Sequence, residues 1–247
     1  MKQFAYLFLF LLIACSKKEQ DFTAQQIIDK TMHYSGADQV ANAAIKFRFR
    51  TKEYTAVRKQ GVFELSKQYF TADSLKVKEV LSNTGYTRFI NNNAVPVVDS
   101  LIADSANAIN SVHYFSVLPF GLNSAAVQKK LLKSTRIKGK EYYKLEIRFS
   151  EQGGGEDFED VFLYWIGKES FLIDYLAYSY HTNGGGMRFR AVKNQNWTAG
   201  IRFVDYDNYK PMTPSIKFNT IDAAFRNKEL KKVSEINLEA IEVELLF

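Results

Sequence analysis

The chain has 247 residues, 46% of them hydrophobic and 15% aromatic, with 20 Phe and 14 Tyr. That is ample apolar material for a packed core, and the aromatic weighting favours β structure. The net charge of +6 comes from Lys and Arg scattered through strand-like segments without a basic block. This patterning argues against a nucleic-acid partner and for a solvated surface weakly attracted to anionic headgroups.

Lys2 precedes an apolar run from Phe4 to Ala14, which ends in Leu12-Ile13-Ala14-Cys15. A charge, a short apolar stretch and a small residue before a cleavage point mark a secretory signal. The run is shorter than the roughly 20 residues that span a bilayer. The tetrapeptide resembles the lipobox read by lipoprotein signal peptidase: Leu three before the Cys, a small residue just before it, and a Cys whose sulfur takes up diacylglycerol. Residues 1–14 are therefore expected to be a lipoprotein signal peptide. Residues 15–22 are expected to form the lipidated Cys15 and a polar tether, with the bilayer as partner. Cys15 is the only cysteine, so the body has no disulfide and no thiolate-bound metal. Ser16, rather than Asp, follows it, which resembles outer-membrane sorting by the enterobacterial rule. The neighbouring charges equally suit surface export, so the periplasmic and surface faces both stay open.

Thr23-Ala24-Gln25-Gln26 reads as a capping box for a helix carrying Ile27, Ile28, Thr31 and Met32, with Gly36 as its stop. Ala43 to Arg50 alternates Ile45, Phe47 and Phe49 with Lys46, Arg48 and Arg50, the period of a strand with one buried face. Strands are expected over 53–59, 62–70, 75–81 and 86–90, with turns at Gln60-Gly61, Asn83-Thr84-Gly85 and Asn91-Asn92-Asn93. From Asp99 to Val117 the period becomes helical, and Pro119 stops it. A short helix is expected over 122–132. Strands follow over 136–138, 142–149, 158–166, 171–182, 187–194, 200–209 and 216–220, then a helical piece around 223–225 and one final strand to Phe247.

Ten or more strands joined by short turns imply antiparallel pairing, and helices that do not alternate with strands argue against a βαβ fold. The expected fold class is α+β: one domain over 23–247, a strongly curved antiparallel sheet with two or three helices in its concave face. The order of elements on a lipoprotein anchor resembles the half-barrel of the lipoprotein carriers LolA and LolB, which implies a concavity able to hold acyl chains. The segments His113-Tyr114-Phe115, Leu118-Pro119-Phe120-Gly121-Leu122-Asn123, Gly153-Gly154-Gly155-Glu156-Asp157-Phe158-Glu159-Asp160, Asp174-Tyr175-Leu176-Ala177-Tyr178, Gly184-Gly185-Gly186-Met187-Arg188-Phe189-Arg190 and Gly200-Ile201-Arg202-Phe203-Val204-Asp205-Tyr206 are similar to an uncharacterised lipoprotein family of Bacteroidota-type bacteria. Some members of that family carry the label deoxyribose-phosphate aldolase. That activity needs a Schiff-base lysine, usually on a (β/α)₈ barrel, and this chain has too few helices for one.

The hairpin at Asn183-Gly184-Gly185-Gly186 is expected to pair Thr182 with Met187. His181, Arg188 and Arg190 then share one face with Ala177, Ser179 and Val192, and Tyr178 and Tyr180 take the other with Leu176, Met187 and Phe189. The polar face suits either solvent or the mouth of a cavity for an anionic headgroup, since a guanidinium binds such groups in bidentate fashion. The candidate ligand-binding residues are His113, Tyr114, Tyr178, His181, Arg188, Arg190 and Asp205; no catalytic set, metal or cofactor is assigned. Glu156, Asp157, Glu159 and Asp160 lack EF-hand spacing, and the three histidines lie far apart in sequence. The leading reading is a membrane-anchored envelope lipoprotein that binds or carries a lipid or other hydrophobic ligand. The alternatives are a hydrolase using His113 or His181 with nearby acids, and an outer-membrane scaffold.

Overall fold

The computed structural model describes residues 22–152, 159–181 and 184–247. The lipobox, Cys15 and most of the tether lie outside them, as do Gly153 to Phe158 and Thr182-Asn183. Helix α1 (Ala24–Ser35) begins as the capping box dictates: Thr23 Oγ1 accepts the Gln26 N–H at 3.2 Å, and Gln26 Oε1 accepts the Thr23 N–H at 2.9 Å. It ends at Gly36, whose φ of 67° ordinary side chains avoid. A Cβ at Gly36 would overlap the Gly200 carbonyl oxygen, so this joint excludes every other residue.

Seven strands form the first sheet. They are β1 (Ala43–Phe49), β2 (Lys52–Lys59), β3 (Val62–Phe70), β4 (Lys76–Ser82), β5 (Gly85–Ile90), β6 (Asn93–Val95) and, from the far end of the chain, β14 (Glu239–Leu245). Their order is β14-β1-β2-β3-β4-β5-β6. The second sheet comprises β7 (Val127–Ile137), β8 (Lys140–Phe149), β9 (Val161–Gly167), β10 (Ile173–Tyr180), β11 (Gly186–Thr198), β12 (Ile201–Pro211) and β13 (Leu230–Ile236). It is ordered β13-β12-β11-β10-β9-β8-β7. Only Asn237 and Leu238 separate β13 from β14, so a two-residue link carries the chain from the second sheet to the first. The result is the expected α+β class: an open, curved, all-antiparallel surface.

Helix α1 and helix α2 (Asp99–Ser116) lie in the concavity. Helix α3 (Ile221–Arg226) does not. It packs on the opposite face of the second sheet, where Trp165, Tyr175, Ala177 and Phe189 form a separate core. Period-2 alternation explains this two-sided burial: Phe162, Tyr164 and Ile166 face α1, and Leu163 and Trp165 face α3. Each element described, and each of the four apolar cores, lies between Phe22 and Phe247, so the chain from Ser16 onwards carries this fold.

Three sequence expectations need correction. Residues 127–132 are not helical but belong to β7, an edge strand with only Val127 and Ile137 buried. The adjacent Leu131 and Leu132 mimic a helical stripe, yet antiparallel pairing with β8 gains a full ladder of hydrogen bonds. Residues 218–220 form a 3₁₀ turn leading into α3 rather than a strand. The last segment is two strands rather than one.

Candidate ligand cavity

Helix α2 buries Ile109, His113 and Ser116: Ile109 and His113 rest against the first sheet, and Ser116 donates to the His113 carbonyl oxygen and borders the cavity described below. His113 is 1% exposed, and its ring meets Phe47 and Tyr54 edge-on. Burial pushes its pKa down to about 4, so the imidazole is neutral and its Nε2 lies 3.1 Å from the Ser66 carbonyl oxygen as the donor. This bond ties the helix to β3.

The other side of α2 presents Asn107, Ser111, Tyr114 and Phe115 toward the second sheet; Tyr114 and Phe115 touch it, and these four residues line a cavity of about 660 Å³ between helix and sheet. That volume lies in the usual range for small-molecule sites. The sheet contributes Phe149 from β8, Phe162 from β9, Tyr178 from β10 and Tyr206 from β12. Helix α1 covers the neighbouring stretch of the same face through Ile27, Ile28 and Met32, so the cavity is the part of the concavity that α1 leaves open. Tyr114 and Tyr164 share a hydrogen bond of 2.7 Å between their hydroxyls. Burial raises both phenol pKa values well above the usual value, and that of Tyr206 to about 12. The wall therefore offers aromatic surface with neutral polar tips.

Strand β11 brings in charge. Ser179 pairs with Met187, Tyr178 with Arg188 and Leu176 with Arg190. The register thus differs by three residues from the sequence expectation, and an odd slip exchanges the faces. Arg188 and Arg190 stand with Tyr178 and Tyr180, not with Ser179 and His181. Arg190 is 9% exposed. Its Nη2 donates to the Tyr178 hydroxyl at 3.1 Å, and its Cζ lies 4.0 Å from the centre of the Phe115 ring. Its Nε is buried without a hydrogen-bond partner. Arg188 stacks over Tyr180 at 5.3 Å.

Of the sequence candidates, Tyr114, Tyr178, Arg188 and Arg190 meet in the cavity wall. His113 is buried on the far side of α2. His181 is mostly exposed, 3.9 Å from Asp160 at the rim. Asp205 points elsewhere: Oδ1 accepts the Leu238 N–H at 2.8 Å, which fixes the joint between β13 and β14, and Oδ2 accepts from Asn194 at 3.2 Å. Among the described residues no group of three or more His, Cys, Asp and Glu is placed to hold a metal; Glu156 and Asp157 lie outside them. Phe115 on α2 and Phe149 and Phe162 on strands are not among the sequence candidates, and Tyr206 reads mainly as core, because aromatics at such positions suit a packed interior equally well.

An open antiparallel sheet curved around helices, with a hollow beneath one of them, defines the class of this protein. The chain belongs to the family of unknown function DUF6503, whose model matches residues 1–241. In three dimensions it is similar to a LolA superfamily protein from Nitrosomonas europaea, at 12% identity and TM-score 0.48, over 92% of this chain and 94% of that one. It is also similar to a protein domain described as outer membrane lipoprotein-sorting from Vibrio parahaemolyticus, at 8% identity and TM-score 0.45, over 90% and 94% of the two chains. A DUF1329 family protein from Desulfovibrio piger aligns at 9% identity and TM-score 0.39, over 90% and 91%. No curated protein matches the sequence. No described helix is long and apolar enough to cross a membrane.

Proposed function

We propose that this protein is an envelope lipoprotein that binds a lipid or other hydrophobic ligand in the cavity between α2 and the second sheet. In this reading residues 1–14 are a signal peptide, acylated Cys15 and the tether to residue 22 hold the protein at a bilayer, and residues 23–247 form the binding domain. The outer membrane is the proposed location. The observation that carries the ligand reading is the aromatic-walled hollow of about 660 Å³, large enough for an acyl chain. The hydrolase alternative is weakened because the His113 ring nitrogen is engaged by Ser66, on the far side of α2 from the cavity.

Native mass spectrometry of the chain from Ser16 onwards tests the binder. Co-purified lipid, or saturable binding of a fluorescent acyl probe, is the expected result; absence of both overturns it. Mass analysis of the full-length product tests the anchor: a diacylglycerol-modified N-terminal Cys is expected, and an unprocessed, unmodified chain overturns it.

A further inference from the structure

Among the described residues of the cavity wall, Arg190 is the one with a buried side-chain atom that lacks a hydrogen-bond partner. A guanidinium has five N–H donors and keeps its charge at any physiological pH. Removed from water, it needs hydrogen-bond acceptors and, ordinarily, a counter-charge. Here it has one hydroxyl acceptor and two aromatic faces, Phe115 and Tyr178, and its Nε has no partner. Among the described residues no carboxylate forms an ion pair with it. Among the described residues the cavity's two carboxylates are Asp104 on α2 and Asp160 just before β9. Continuing the β9–β10 register places Asp160 opposite Tyr180, whereas Arg190 pairs with Leu176. Four residues of strand, about 13 Å, separate those positions. The charge of Arg190 thus faces an aromatic hollow rather than an acid.

We infer that the cavity takes an acyl chain ended by a single anionic group, a carboxylate or a phosphate monoester, and that Arg190 binds that group. This rests on the ligand-binding reading above and specifies its substrate class. Phe149, Phe162 and Tyr206 surround the chain, and the anion completes the donors of Arg190, with Arg188 beside it on the same face of β11. Charge-assisted hydrogen bonds in a water-poor site are stronger than neutral ones, so the headgroup, not the tail, sets selectivity.

The test titrates the chain from Ser16 onwards with hexadecanoate, hexadecyl phosphate and 1-hexadecanol, three ligands with one tail, below their aggregation limits and at neutral to slightly alkaline pH. At least one anion is expected to bind about tenfold or more tighter than the alcohol. Tighter hexadecanoate points to a carboxylate; tighter hexadecyl phosphate points to a phosphate monoester. Arg190→Gln is expected to erase that preference and leave 1-hexadecanol within about twofold. Equal affinity for all three overturns the anionic headgroup while the hydrophobic-ligand reading stands. A preference that survives in Arg190→Gln overturns the role of Arg190, and no binding of any of the three overturns both readings. The wild-type comparison needs no variant, so it decides the headgroup question even if Arg190→Gln folds poorly.

Discussion

The two sheets have the same number of strands and the same antiparallel pairing, yet α2 buries Ile109 and His113 against the first and meets the second through Tyr114 and Phe115 around a hollow. On the first sheet, Ile109 packs with Ala56 and Leu65 and His113 against Phe47 and Tyr54, and the adjoining wall holds a buried ion cluster. There Glu79 accepts from Tyr86 at 2.9 Å and Arg88 at 2.7 Å and pairs with Lys67. On the second sheet, Tyr114 touches Phe149, Phe162 and the Tyr164 hydroxyl and Phe115 touches Phe162 and Tyr178, and the hollow lies beside these contacts. A helix seats one stripe of side chains well. Held by that stripe against one wall of a curved sheet, it reaches the other wall only through Tyr114 and Phe115 and leaves a hollow beside them.

The largest expected effect sharpens this contrast by making the same truncation on both sides. Phe47→Ala, in the filled half, should cost about 3–5 kcal/mol in denaturant unfolding. Phe149→Ala borders existing space and should cost less than about 1 kcal/mol while weakening acyl-probe binding, because little new cavity is created. Equal costs would break the comparison. Next in size is pH. The folded pKa of His113, about 4, lies below its ordinary value near 6.5. The unfolded chain therefore takes up the proton first. The stability contributed is complete above about pH 6.5 and is lost as pH falls to about 4, a change of roughly 3 kcal/mol. His113→Gln should flatten that slope, and a wild-type curve flat across this window would contradict the buried, neutral imidazole. The smallest effect concerns the cavity side: Tyr164→Phe should cost about 1 kcal/mol by leaving the Tyr114 hydroxyl without its partner, read as a shift in the denaturation midpoint.

Much of the fold was legible because local chemistry and global packing agree. Thr23 and Gln26 cap α1 as their spacing dictates, and Ile45 and Phe47 point inward where alternation puts them. Pro119 follows closely on the end of α2. β7 misled because it is an edge strand, where few positions are buried and the strand period is faint. The β10–β11 register misled because consecutive glycines accept many turn geometries, so nothing local fixes which residues pair. The hollow was not legible at all. Phe115, Phe162 and Tyr206 would look the same in sequence whether they met another side chain or a void. Half of the candidate site was nevertheless named, since Tyr114, Tyr178, Arg188 and Arg190 were selected for their chemistry.

The partnership of β14 with β1 has a consequence for biogenesis. Arg48 and Glu239, hydrogen-bonded at 2.6 Å across that pair, are 191 positions apart in the chain. A polypeptide emerging N-terminus first presents β1 long before its outer neighbour β14. Until then β1 has a naked margin able to recruit a foreign strand, and closing so long a loop is slow. During synthesis the early-made half of the first sheet thus waits for β14, and the sheet is completed only once residues 239–245 have been made.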